Sequence, residues 1–223
     1  MDKSLIIRAF GKFFAGLAVV GLLLFLPAGT LRFWNGWLLM ALLFVPMLIA
    51  GILLMFRDPE LLKKRLNAKE DEREQKIVVV LSGVMFLAAF AVAGLNFRFS
   101  WLVLPPWAVW IAAAVFLAAY AMYGEVLREN TFLSRTVEIQ AQQAVIDTGL
   151  YGVIRHPMYS ATVLLFLSMG IVLGSPISFA ILLFYIPIIV LRIKNEEAVL
   201  LQGLEGYDAY CKKVKYRLLP FVW

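Results

Sequence analysis

The chain has 223 residues, 62% hydrophobic and only 16% charged, with a mean hydropathy of +0.84. A water-soluble domain is roughly half apolar, so the surplus faces lipid; the net charge of +6 sits at the ends of apolar runs, where topology explains it better than nucleic acid does. One cysteine (Cys211) excludes an internal disulfide, and one histidine (His156) leaves no Cys/His cluster of metal-ligand spacing, so no metal is expected.

Charge-free windows run over 13–31, 33–56, 77–97, 99–124 and 157–191. Each of the first four fits one helix of about 20 residues crossing the hydrocarbon core. The first follows Lys3, Arg8 and Lys12, but without a convincing small-x-small cleavage site it reads as a span rather than a removed leader. The fifth would extend about 52 Å as one helix at about 1.5 Å per residue, against a core of about 30 Å. Its middle reads Gly174-Ser175-Pro176, a turn signal. It therefore splits into a short hairpin, roughly 158–173 and 177–193. The expectation is an all-α, polytopic bundle of about six spans, with N-terminal transmembrane helices over 1–124 and a cofactor-binding catalytic region over 125–223.

On this layout one side holds all but Arg32 and Arg98 of the 21 Lys and Arg residues. That bias predicts both termini in the cytoplasm, in a cell inner or plasma membrane. Segment 57–76 mixes Arg57, Lys63-Lys64-Arg65 and Glu70-Asp71-Glu72, and reads as a solvated connector. Trp34, Trp37, Trp101, Trp107 and Trp110 lie near span ends on the other side, as interfacial anchors do.

Segment 125–156 is unusually polar for this chain, with Glu129-Asn130-Thr131-Phe132, Arg135, Glu138 and Asp147-Thr148-Gly149. It leads into Tyr151-Gly152-Val153-Ile154-Arg155-His156-Pro157-Met158-Tyr159. Pro157 suits a first helical turn, which makes His156 the N-cap. Such a helix start beside Arg155 favours an anionic ligand group. The hairpin returns to the same face at Arg192 and Glu196-Glu197. Arg192 and Glu196 share a helix face at i, i+4. Acidic residues at a helix end oppose its dipole, so Glu196-Glu197 there call for a compensating partner. In the tail, Tyr207 and Tyr210 at i, i+3 are placed to cover the hairpin's end.

In order and spacing, Gly149, Tyr151, Arg155, His156, Pro157, Tyr159, the Ser175-Pro176 turn, Arg192, Glu196-Glu197, Gly206, Tyr207, Tyr210, Arg217 and Pro220 resemble the isoprenylcysteine carboxyl methyltransferases and the related phospholipid methyltransferases. Asn130-x-Phe132 resembles the polar stretch upstream. The resemblance covers about residues 125–220. It implies S-adenosyl-L-methionine as cofactor, held by Asn130, Tyr151, Arg155, His156, Pro157, Glu196, Glu197 and Tyr207, with Arg192, His156 and Tyr159 as catalytic residues. On that reading His156 takes the methionine carboxylate, and Glu196 and Glu197 take the ribose hydroxyls. The acceptor is a lipophilic molecule entering from the bilayer: an isoprenoid or prenyl-thioether carboxylate by preference, a phospholipid amine or small thiol otherwise. The rival readings are an NADPH-dependent membrane reductase and a non-catalytic scaffold or transporter. Spans nearly free of ionisable residues argue against a conduction path.

Overall fold

The computed structural model describes residues 3–66, 73–133, 139–140 and 142–223. Glu70-Asp71-Glu72, Arg135 and Glu138 of the sequence reading lie outside the described residues. All regular structure among the described residues is helical: α1 (Lys3–Ala28), α2 (Trp34–Arg57), α3 (Pro59–Leu66), α4 (Arg73–Phe99), α5 (Pro106–Glu129), a 3₁₀ turn (Gly149–Gly152), α6 (Pro157–Val172), α7 (Pro176–Leu182), α8 (Tyr185–Gly203) and α9 (Tyr207–Lys213). Four of these helices start on a proline: Pro59, Pro106, Pro157 and Pro176. At that position the missing N–H has no partner to lose. Asp58 completes the start of α3, its Oδ1 accepting from the Leu61 amide at 2.9 Å.

Helices α1, α2, α4, α5 and the α7–α8 rod are long and apolar enough to cross a membrane, and α6 is a shorter apolar helix. The rod is broken at Leu183–Phe184 because Pro187, in the first turn of α8, cannot donate to the carbonyl of residue 183. The predicted hairpin is present, but its second arm is longer than the expected 177–193. α8 runs on to Gly203, so Glu196 and Glu197 lie inside the helix and not at its end. Their negative charge is met by side chains rather than by a frayed terminus, as shown below.

Asn35, at the start of α2, donates from Nδ2 to the Val172 carbonyl at 2.8 Å. This fixes the hairpin turn at the bundle end that holds the exposed Trp34, Trp37, Trp101, Trp107 and Trp110. The starts of α1 and α6 and the ends of α2, α5 and α8 therefore gather at the opposite, basic end. One core cluster joins the N-terminal helices to the hairpin through Leu24, Phe33, Phe44, Phe90, Phe116, Leu165, Leu182 and Ile189. Two glycines set the closest approaches. A Cβ on Gly94 of α4 would stand 2.6 Å from the Leu24 carbonyl oxygen, and one on Gly170 of α6 only 2.5 Å from the Phe179 backbone. Small residues of this kind let helices approach in a membrane, where no hydrophobic force drives them together.

Candidate functional site

The site forms at the basic end, where three segments distant in sequence share two adjacent carboxylates. His156 is the N-cap of α6 and Pro157 its first residue. The cap carbonyl takes the Tyr159 and Ser160 amides at 3.0 and 3.1 Å. Its imidazole instead faces α8, with Nε2 3.2 Å from Oε1 of Glu197. Arg155 Nε lies 2.8 Å from the same oxygen. The second Glu197 oxygen accepts from Arg217 Nε at 2.7 Å. Glu197 is 5% exposed, and both its oxygens are engaged by Arg155, His156 and Arg217.

The tail that brings Arg217 is bound along its backbone. The Arg155 amide donates to the Tyr216 carbonyl at 2.8 Å and the His156 amide to the Arg217 carbonyl at 2.9 Å. Ser160 Oγ donates to the Leu218 carbonyl at 2.7 Å. Arg217 also lies over the Trp223 ring, 5.1 Å from its centroid.

One helical position earlier, Glu196 accepts from the Tyr159 hydroxyl, and that hydroxyl accepts from Arg192 Nε at 3.0 Å. Tyr159 thus bridges the two α8 residues that share a helix face. On the other side, Asn130 Nδ2 donates to the Tyr151 hydroxyl at 3.0 Å, and its Oδ1 accepts from the Phe132 amide at 3.0 Å. Thr148 Oγ1 donates to Glu129 Oε1 at 2.5 Å. The 3₁₀ turn that carries Tyr151 is therefore clamped to the end of α5. Below it, Tyr210 donates to the Tyr151 carbonyl at 2.8 Å, and Lys213 reaches Asp147 at 2.6 Å. That hydrogen bond holds the Asp147 carboxyl below its usual range. Burial keeps the Tyr207 and Tyr210 phenols protonated far above neutrality, with the Glu197 charge adding to the effect at Tyr207.

These groups enclose a cavity of about 110 Å³. Of the ten residues expected at a site, eight line it: Asn130, Tyr151, Arg155, His156, Tyr159, Arg192, Glu196 and Tyr207. Glu197 and Pro157 do not: Glu197 lies behind the wall, holding Arg155 and His156, and Pro157 sets the helix start. Sequence reasoning missed the opposing wall, Gln143–Ile146 with Leu200 and Leu204, because an apolar loop carries no signal of what it will cover. It also missed Arg217 as a partner of Glu197, although the tail motif containing Arg217 was visible.

The lining has the donors and acceptors that S-adenosylmethionine requires. Arg155 and Arg192 offer cationic donors to a carboxylate, Glu196 accepts from hydroxyls or an ammonium, and Tyr207 has a buried hydroxyl that makes no well-formed hydrogen bond. A buried polar atom without a partner is uncommon unless a ligand or water meets it.

Residues 104–204 match the family model for phospholipid methyltransferase, a family of membrane S-adenosylmethionine-dependent methyltransferases. The matched segment runs from the start of α5 to the end of α8. A Delta(14)-sterol reductase of Mus musculus is 24% identical over 131 residues, covering 53% of this chain and 31% of the reductase. The chain thus spans about a third of that relative's length.

The similarity to that family thus extends over the hairpin and the helix before it, a little under half of the chain.

Proposed function

We propose that the protein transfers a methyl group from S-adenosylmethionine to a lipophilic acceptor, most readily an isoprenoid or prenyl-thioether carboxylate. The observation that carries this reading is the meeting of Arg155 and His156 from the start of α6 with Glu196 and Glu197 from α8, beside one cavity. Asn130, Tyr151, Arg155, His156, Glu196 and Tyr207 would hold the cofactor. Glu197 and Pro157 would act by fixing Arg155, His156 and the helix start.

The cofactor supplies a methyl group already activated on a sulfonium, so a carboxylate acceptor needs no base. The protein's task is then to orient the acceptor and exclude water. Arg192, steered by Tyr159, presents a cation to an anionic acceptor. Tyr207 and Tyr210, both buried, close the site from the tail side. An amine or thiol acceptor would have to lose a proton, and His156 is the side chain suited to take it.

The likeness to a sterol reductase supports a second reading, reduction with NADPH. Glu196 on the cavity wall disfavours it, because a 2′-phosphate wants cations alone. Titrating the purified protein with S-adenosylmethionine and with NADPH separates the two. The methyltransferase reading expects saturable binding of the first only, and incorporation of radiolabelled methyl into one component of a lipid extract. Binding of NADPH alone, or no labelled lipid, overturns it. Identifying the labelled product assigns the acceptor as carboxylate, amine or thiol.

A further inference from the structure

A larger cavity is walled by α1, α2, α3, α5 and α6 and measures about 890 Å³. No residue lines both this cavity and the one beside Glu196. Its walls are almost wholly hydrocarbon. The polar groups on them are largely engaged: Tyr120 donates to the Leu43 carbonyl at 2.9 Å, and Thr162 Oγ1 donates to the Tyr159 carbonyl at 3.0 Å and lies 3.1 Å from the Tyr185 hydroxyl. The space is open at its glycines. A Cβ on Gly51 or Gly124 meets nothing within 4 Å, and one on Gly16 meets only the Phe44 ring at 3.7 Å.

Among the described residues, Lys12 is the one charged residue on the lining. It stands toward the start of α1, at the same bundle end as Leu62, Leu66 and Leu127, while Leu43, Leu117 and Met169 lie deeper. Its ammonium donates to the Leu66 carbonyl at 2.5 Å. A neutral carbonyl does not cancel the charge, and among the described residues two of the three ammonium donors remain beyond that bond. Among the described residues the cavity is therefore a long apolar slot with one cation at its basic end.

We propose that this slot binds one hydrocarbon chain of an anionic lipid, with the acidic head group at Lys12 and the chain running between α1–α2 and α5–α6 toward Met169. A cation at the mouth selects an acidic head over a neutral one. The slot's position places that lipid in the leaflet on the basic face, where anionic lipids attract basic residues. The proposal needs the membrane-spanning bundle but not methyl transfer.

A long-chain alkyl phosphate carrying a mid-chain diazirine tests it, with the matching alkyl alcohol as neutral control. Both are photolysed with the full-length protein in phosphatidylcholine nanodiscs, and the cross-linked peptides are mapped. The phosphate probe is expected to label peptides of α1, α2 and α5 that line the slot, saturably. Gly124→Leu, which fills the slot, is expected to weaken that labelling by about tenfold. Lys12→Gln is expected to weaken it by about fivefold for the phosphate and not for the alcohol. Unchanged thermal melting in both variants keeps a folding defect from imitating these results. Labelling spread evenly over lipid-facing positions such as Val84 and Leu87 of α4, or equal labelling by the two probes, overturns the proposal. Titrating S-adenosylmethionine into Gly124→Leu reads the methyltransferase reading separately and is expected to match wild type.

Discussion

Three residues carry the clearest tests at the level of single side chains. Tyr159 joins Arg192 to Glu196 through one hydroxyl, so Tyr159→Phe keeps the ring and removes that bridge. Turnover is expected to fall by about tenfold, about 1.4 kcal/mol of transition-state stabilisation, while the melting temperature changes little. Glu197 is different, because its carboxylate is the shared partner of Arg155, His156 and Arg217. Removing one partner from a buried ionic cluster costs about 3–5 kcal/mol. Glu197→Gln should therefore lower the melting temperature in detergent as well as cofactor affinity, and calorimetry after thermal scanning separates the two losses. Cys211 provides a pH reading from the tail. Burial pushes its thiol above the usual range, against the opposing pull of the Arg155 charge. The reactive thiolate is then scarce at neutral pH. Maleimide labelling of the folded protein should be slow at pH 7, rise only at pH above the normal thiol range, and become fast on unfolding.

At the level of elements, the hairpin decides whether the site exists. Gly170 lets α6 lie against the backbone of α7, and the turn closes with the Ser175 amide donating to the Gly170 carbonyl at 3.0 Å and Ser175 Oγ accepting from the Ser178 amide at 3.1 Å. Gly170→Ala is expected to destabilise by about 1–3 kcal/mol through overpacking and to weaken cofactor binding by shifting α6. Gly83→Ala on α4, where a Cβ meets nothing within 4 Å, is expected to be neutral or slightly stabilising. Thermal melts of the two variants measure the contrast. Much of this layer was legible in the chain. Gly174-Ser175-Pro176 announced the turn, and Pro157 announced the start of α6. What stayed hidden was tertiary. The charge-free window ends before Arg192, so the sequence places the end of the second arm near residue 193, whereas α8 runs on to Gly203. Glu196 and Glu197 were consequently read as a helix end in want of a ligand, whereas two arginines and a histidine already surround Glu197.

At the scale of the whole molecule, the charge pattern and the packing point the same way. Asn35 and Val172 pin the hairpin turn to the tryptophan-bearing end, which leaves the segments rich in Lys and Arg together at the other. Both termini are therefore expected in the cytoplasm. Reporters that function on only one side of the membrane, fused to each end in turn, check this, and activity of either one outside the cytoplasm would contradict it. Eight of the cavity-lining residues were legible because they belong to the spaced set by which the chain resembles a known family. The apolar wall was not, since Ala144, Val145 and Ile146 read like any other connector.

The tail's hold on the loop ahead of α6 has a kinetic corollary. The amides of Arg155 and His156 belong to no helix, yet both donate to carbonyls of residues 216 and 217. Solvent deuterons can reach them only when the tail peels away, so their isotope-exchange rates report how often the wall behind the cavity comes undone.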